Sequence, residues 1–260
     1  MINIDDMTAE FDADLKRLCV SDPFGTRILA LRSAYSGKKY DFLDFWIQRD
    51  DNNKSYSCFC LYSSTMIICG EPFDLIEASE FLQMLSPSKI MCRNSIALQP
   101  DILGMNKRSG EIMKFGGNTV CESGMYKVSL VSSSMSELKK IYRLLDHVFG
   151  LDRIVFEDFF LSMSHMIRHN TAEIYAVYNE KNEPVSTAFV IYKTDQALHI
   201  SSVATEKPYR KRGMAEEILK VILKKHNTDN KKIFLQREAP ITLYDTLGFK
   251  KCGEWAEYAK

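Results

Sequence analysis

Period-two alternation and helical stripes follow one another along this chain in two rounds. In the first, "SDPFGTRILALRSAYSG" reads as a helix, with Asp22 as N-cap, Pro23 at the first helical position and Gly37 just past its end. The runs "DFLDFWIQ" (41–48), "SYSCFCLY" (55–62) and "TMIICG" (65–70) read as strands, and "DDNNKS" as the hairpin turn between the first two. The amphipathic "FDLIEASEFLQML" (73–85) then leads to a strand in "KIMCRNSIAL" (89–98). From Gln99 to Gly124 the pattern loosens around the breakers "KRSG" and "FGGN". A domain boundary is expected there, near residue 120, giving domains 1–120 and 121–260.

The second round is more sharply written. "YKVSLVSS" (126–133) alternates as a strand, and "SMSE" (134–137) is a capping box ahead of "LKKIYRLLDHVFG", which stops at Gly150. A second helix, about Phe156 to His169, carries Phe156, Phe159, Phe160, Met163, Met166 and Ile167 on neighbouring faces. Strands are expected at 172–179, 183–193 and 197–205. A helix over Met214–Lys225 follows, with Ala215, Ile218, Leu219, Ile222 and Leu223 at helical spacing. "KIFLQ" (232–236), the short helical "ITLYDTLGF" and terminal strands "KKCG" and "WAEYA" complete the chain. The order predicts an α/β fold, and both halves share a strand-strand-strand-helix-strand rhythm that points to an internal duplication.

Composition narrows the function classes. The chain has 260 residues, 45% of them apolar, with 15 Phe and 12 Tyr, enough for packed cores and against disorder. Lys plus Arg and Asp plus Glu stand at 34 each, so the basic excess of a nucleic-acid or membrane-surface binder is missing. The opening "MINIDDMTAEFDADL" is acidic, without the apolar stretch of a signal peptide. Apolar runs such as "TMIIC" are too short to cross a bilayer. A cytoplasmic protein is expected, with no nucleic-acid or membrane partner. The seven cysteines (19, 58, 60, 69, 92, 121 and 252) are an odd, irregularly spaced set. "CFC" at 58–60 has no second Cys or His pair at ligand spacing, so the thiols are read as small hydrophobes in a reducing compartment and no metal is expected.

One stretch departs from this even charge. "EKPYRKRGMAEEILKVIL" crowds Lys207, Arg210, Lys211 and Arg212 against the start of the 214–225 helix. A helix N-terminus already carries partial positive charge and N–H groups without intrahelical acceptors, so cations gather there to good effect only around an anion. Gly213 permits backbone angles closed to other residues, and the small Ala215 keeps the next position uncrowded. Arg210-x-x-Gly213-x-Ala215 after a strand therefore reads as a pyrophosphate cradle. It is neither the Walker pattern nor the dinucleotide Gly-x-Gly-x-x-Gly.

"VATEKPYRKRGMAEEILKVIL" followed by "LYDTLGF" resembles the coenzyme-A-binding core of the GNAT superfamily of N-acetyltransferases. The likeness spans about residues 126–260. It implies the GNAT acyltransferase fold, a mixed, mostly antiparallel sheet flanked by helices. The first 120 residues carry no such loop; where it would fall they read "IICGEPFDLIEA", so that half would be a degenerate copy and the chain two GNAT-like halves in tandem.

The resemblance also implies roles. Backbone groups of Val203, Ala204 and Thr205 would hold the pantetheine arm of coenzyme A, and the N–H groups of Arg210, Lys211, Arg212, Gly213, Met214 and Ala215 would bind the pyrophosphate. Tyr244 would protonate the leaving thiolate. Two departures stand out: His199 occupies the strand where the histone-acetylating branch carries a glutamate base, and Arg237 replaces the asparagine common ahead of the tyrosine helix. Counting four steps along an unbroken strand puts His199, Ser201 and Val203 on one face, which makes His199 a candidate general base, with Glu173 as a weaker substitute. The expected activity is acetyl-CoA-dependent N-acetyl transfer, in a ternary complex, to a small-molecule or peptide amine, by a monomer or homodimer. A non-catalytic acyl-CoA sensor and a transferase for longer acyl chains are the alternatives.

Overall fold

The computed structural model describes the chain except residues 4–8, 37–39, 99–103, 118–123, 152–153 and 228–230. Its contacts divide into two compact units: Met1–Met113 with Gln236–Pro240 and Lys251–Lys260, and Lys114–Leu235 with Ile241–Lys250. Ten C-terminal residues thus belong to the first unit, a placement that no local pattern announces.

The first unit opens with β1 (Ile2–Asn3), α1 (Ala9–Cys19) and α2 (Pro23–Ala34). Asp22 caps α2 as the sequence indicates, its carboxylate accepting from Phe24 N at 2.7 Å and Gly25 N at 3.2 Å. Gly37 lies outside the described residues. An antiparallel meander of β2 (Leu43–Arg49), β3 (Ser55–Tyr62) and β4 (Thr65–Gly70) follows, then α3 (Leu75–Leu85) and β5 (Lys89–Arg93). α3 is the crossover that makes β4 and β5 parallel. It lays Ala78 and Leu82 on a core built from Trp46, Phe59, Met66, Ile68, Ile90 and Tyr258. Tyr258 comes from β12 (Phe249–Ala259), which pairs antiparallel with β5 from Trp255↔Arg93 to Ala259↔Lys89. The two terminal strands expected from the sequence are this single one. A strand is also present where breakers had suggested loop: β6, Asn106–Phe115. Its first half is polar and exposed, and Gly110 is required because a Cβ there would lie 2.3 Å from the Arg237 carbonyl.

The second unit repeats the order. It runs β7 (Ser129–Leu130), α4 (Met135–Phe149), α5 (Phe156–Arg168), β8 (Glu173–Tyr178), β9 (Pro184–Ile191), β10 (Ala197–Thr205), α6 (Met214–His226), β11 (Lys232–Arg237) and α7 (Thr242–Thr246). Strands β7 to β10 are antiparallel neighbours, and α6 crosses over to bring β11 parallel to β10. Both units therefore read β-α-α-β-β-β-α-β, and the duplication suggested by rhythm is present element by element. Leu138, Ile141 and Leu145 of α4 and Met163 and Met166 of α5 pack with Ile174, Ala176 and Phe189 of the sheet. α6 buries Ile218, Leu219, Ile222 and Leu223 against β8, β9 and β10. No helix among the described residues is long and apolar enough to cross a membrane.

The described cysteines form no disulfide, and all but Cys252 are buried. Burial pushes the Cys92 thiol up to about 12, so it stays a neutral, unreactive packing group.

Candidate active site

The cation-rich stretch folds as a compact turn between β10 and α6. Lys207–Tyr209 make a 3-10 turn, and Lys211 and Gly213 take left-handed φ values of 59° and 82°. That conformation is what glycine supplies cheaply, and Gly213 is the N-cap of α6. Its carbonyl accepts the first helical bond, from Glu217 N at 2.9 Å, and no side chain caps the helix. The N–H groups of Met214, Ala215 and Glu216 precede that first bond, leaving them free of intrahelical acceptors at the mouth of a cleft of about 340 Å³. Thr205, Arg210, Lys211, Gly213, Ala215 and Leu243 are among the residues lining it.

The counterpart helix of the first unit shows what an occupied N-terminus looks like. α3 starts at Asp74, whose carboxylate accepts from Ile76 N at 2.9 Å and Glu77 N at 3.0 Å. A fixed anion fills the helix start, so a phosphate there would meet like charge. The two units repeat the crossover, and of these two helix starts that of α3 is capped by a carboxylate whereas that of α6 has no side-chain cap.

The four cations are sorted by the turn. Arg210 is spent in part on structure: its Nε donates to Thr205 O at 2.9 Å, tying the turn to the end of β10. Arg212 lies over the Tyr209 ring at 5.6 Å, and its carbonyl accepts from Tyr126 OH at 2.9 Å. Lys211 lines the cleft, whereas Lys207 is exposed and does not. Sequence reading missed the segment ahead of β7, where Met125 Sδ lies 3.9 Å from the position of a Cβ on Gly213. No spacing rule links Met125 and Tyr126 to a turn so far along the chain.

β10 offers a second feature. Its parallel pairing with β11 runs from Ala197↔Lys232 to Ile200↔Leu235 and stops, while pairing with β9 continues to Thr205. Ser201–Thr205 thus have no partner strand on one edge among the described residues, and Val203, Ala204 and Thr205 lie in this stretch. The same strand carries a bulge between Ser201 and Ala204, with Ser202 at φ 50°. Three steps of β10 there oppose two of β9, Phe189 to Thr187. The alternation shifts by one, so Ser201 and Ala204 share a face and the four-step count from His199 to Val203 does not hold. Two small polar residues in succession, Ser201–Ser202, are the visible trace of this in the sequence.

His199 itself is 2% exposed, in the paired part of β10, beside the rings of Phe234 at 5.6 Å and Tyr192 at 6.1 Å. Tyr244, half-buried on α7, packs edge-on against Phe249 at 6.2 Å, and its neighbour Leu243 lines the cleft. Arg237 donates through Nε to Glu111 at 2.8 Å and belongs to the first unit.

Glu173 stands at the start of β8, opposite Val190, and takes bonds from Tyr175 OH, Lys193 Nζ at 2.5 Å, Lys225 Nζ at 3.0 Å and His226 Nε2 at 3.0 Å. Burial raises its pKa, but the bonds from His226, Lys193, Tyr175 and Lys225 outweigh it and hold the carboxyl well below the usual range. So strongly stabilised an anion makes a poor base, and its work is to join β8 to the last turn of α6. A depressed folded pKa contributes stability that is present above the ordinary carboxylate pKa and is lost as pH falls below it. Glu173→Gln is therefore expected to cost about 2–3 kcal/mol near neutrality, since it leaves the largely enclosed Lys193 ammonium without its carboxylate partner. Urea melts from pH 7 to 3 should show this gap narrowing as the wild type loses its advantage. An equal gap at every pH would mean the loss is one of packing.

Residues 150–259 match the family model described as acetyltransferase (GNAT) domain. This C-terminal stretch is thus similar to a GNAT acetyltransferase domain. Among solved structures, a tandem GNAT protein from the clavulanic acid biosynthesis pathway is similar over 98% of this chain and 95% of its own, with TM-score 0.62 and 10% identity. A Drosophila protein matches over 98% and 97%, with TM-score 0.69 and 9% identity. A GCN5-related N-acetyltransferase from Kribbella flavida matches over 90% and 95%, with TM-score 0.58 and 12% identity. At such identities the likeness is one of fold. No curated protein matches the chain. The fold is α/β, with a mostly antiparallel sheet flanked by helices, and is similar to that of the tandem GNAT protein.

Proposed function

We propose that this chain is an acetyl-CoA-dependent N-acetyltransferase that moves the acetyl group directly to a primary amine within a ternary complex, with one cofactor site per chain. One observation carries the reading: the uncapped start of α6 at Gly213, opening on a cation-lined cleft, where the matching helix of the other unit is closed by Asp74. The residues fit a diphosphate. Consecutive N–H groups at Met214, Ala215 and Glu216 supply donors, Lys211 supplies charge, and the free edge of Val203–Thr205 matches an extended pantetheine arm that bonds as one more strand would.

The co-substrate supplies a thioester. In the proposed reaction the amine nitrogen attacks the thioester carbonyl, polarised by a backbone N–H near Val203. The C–S bond breaks, Tyr244 hands its hydroxyl proton to the leaving sulfur, and the ammonium proton passes to water, from which the phenolate recovers its own. Much of the acceleration would come from holding both reactants in one cleft. His199, enclosed between β9 and β11, is given no part in this scheme.

The four cations are expected to separate by role. Lys211→Gln should weaken acetyl-CoA binding several-fold, in line with about 1 kcal/mol for one charge-assisted contact. Lys207→Gln, outside the cleft, should leave it within about twofold. Calorimetric titration of both variants tests this; equal losses would mean that the loop acts only through its overall charge. Activity itself is tested by release of free thiol from acetyl-CoA across a panel of primary amines.

A further inference from the structure

Three cysteines that are far apart in the sequence meet in the first unit. Cys58 and Cys69 are directly opposite one another on the antiparallel strands β3 and β4. Cys19 is the last residue of α1, which packs on both strands. Its sulfur lies 3.3 Å from that of Cys58, and all three sulfurs lie within 4.8 Å of one another. Their exposures are 0%, 0% and 1%. Gly25 of α2 packs against the Cys19 backbone, where a Cβ would stand 2.3 Å from Cys19 Cα. Cys60, two residues along β3, is also buried but faces Ile67 and stays outside the group.

We infer that Cys19, Cys58 and Cys69 form a metal site for a soft, thiophilic ion that accepts three ligands, with Cu(I) as the fitting class. Metal–sulfur bonds of about 2.3 Å place three sulfurs around one ion about 4 Å apart, within the spread seen here. A structural zinc site wants four ligands. The carboxylate next to the group, Asp22, is already engaged: one oxygen accepts from Phe24 N and Gly25 N, and the other pairs with Arg93. No histidine joins the group among the described residues. Three sulfurs in a dry, enclosed setting suit the monovalent soft ion better than a tetrahedral one. Binding exchanges S–H bonds for metal–sulfur bonds and releases the protons to solvent, with no change of oxidation state. The bound ion would tie the end of α1 to the β3–β4 hairpin, independently of whether the other unit transfers acetyl groups.

The test uses the full chain, reduced and stripped of metal without oxygen, then loaded with Cu(I) against a bicinchoninate competitor and gel-filtered. One copper per chain should be retained, the thermal midpoint should rise by several degrees, and the copper absorption edge should report sulfur neighbours. Retention should survive Cys60→Ser and Cys252→Ser and be lost in Cys58→Ser. Folded wild-type protein that surrenders its copper to the competitor would overturn the assignment, as would nitrogen or oxygen neighbours at the edge, or loss of retention in Cys252→Ser. The wild-type measurements decide the matter even if Cys58→Ser fails to fold.

Discussion

Gly213→Val should weaken acetyl-CoA binding by about 100-fold while leaving the protein folded. The residue sits at φ 82°, and a Cβ there would meet only Met125 Sδ, at an ordinary contact distance of 3.9 Å, so the obstacle to a side chain is backbone conformation. A β-branched residue strains there by about 1–2 kcal/mol and is relieved only if the turn rearranges. Rearrangement misaims the N–H groups of Met214 and Ala215. Losing two charge-assisted bonds at about 1.5 kcal/mol each gives roughly the hundredfold stated. Gly150 provides the control: it ends α4 at φ 67°, and a Cβ there would meet nothing within 4 Å. Gly150→Val should cost similar stability and leave cofactor affinity unchanged. Paired calorimetric and thermal measurements on both variants separate the outcomes. Equal affinity losses would show that Gly213 matters only for folding.

Tyr244→Phe should lower turnover by about 100-fold, the lower end of what a positioned acid contributes, with acetyl-CoA affinity within about twofold of wild type. The substitution removes the hydroxyl and keeps the ring that packs edge-on against Phe249, so the short α7 should keep its place. Steady-state rates together with direct binding separate the readings: a parallel loss of both would make Tyr244 a packing residue, and an unchanged rate would remove it from the chemistry.

Much of this was legible in the chain because its signals are local. The Asp22 cap, the strands of both meanders and the loop from Arg210 to Ala215 each rest on a few adjacent residues whose chemistry dictates their conformation. What was not legible depends on distant partners. β6 looked like loop because half of it is solvated and its glycine answers to the Arg237 carbonyl. Trp255–Ala259 read correctly as a strand, but only β5 shows where it pairs. The face assigned to His199 failed because one bulge, at Ser202, reverses every later position on the strand. The closure of α3 by Asp74 explains in atoms what the sequence showed only as missing cations.

The most direct measurement is calorimetric titration of the full chain with acetyl-CoA. The open start of α6 and the carboxylate-filled start of α3 predict a single site, one cofactor per chain, weakened about 100-fold by Gly213→Val and untouched by Asp74→Asn. Two equivalents per chain, or binding that survives Gly213→Val intact, would contradict the assignment of the cofactor to the turn between β10 and α6.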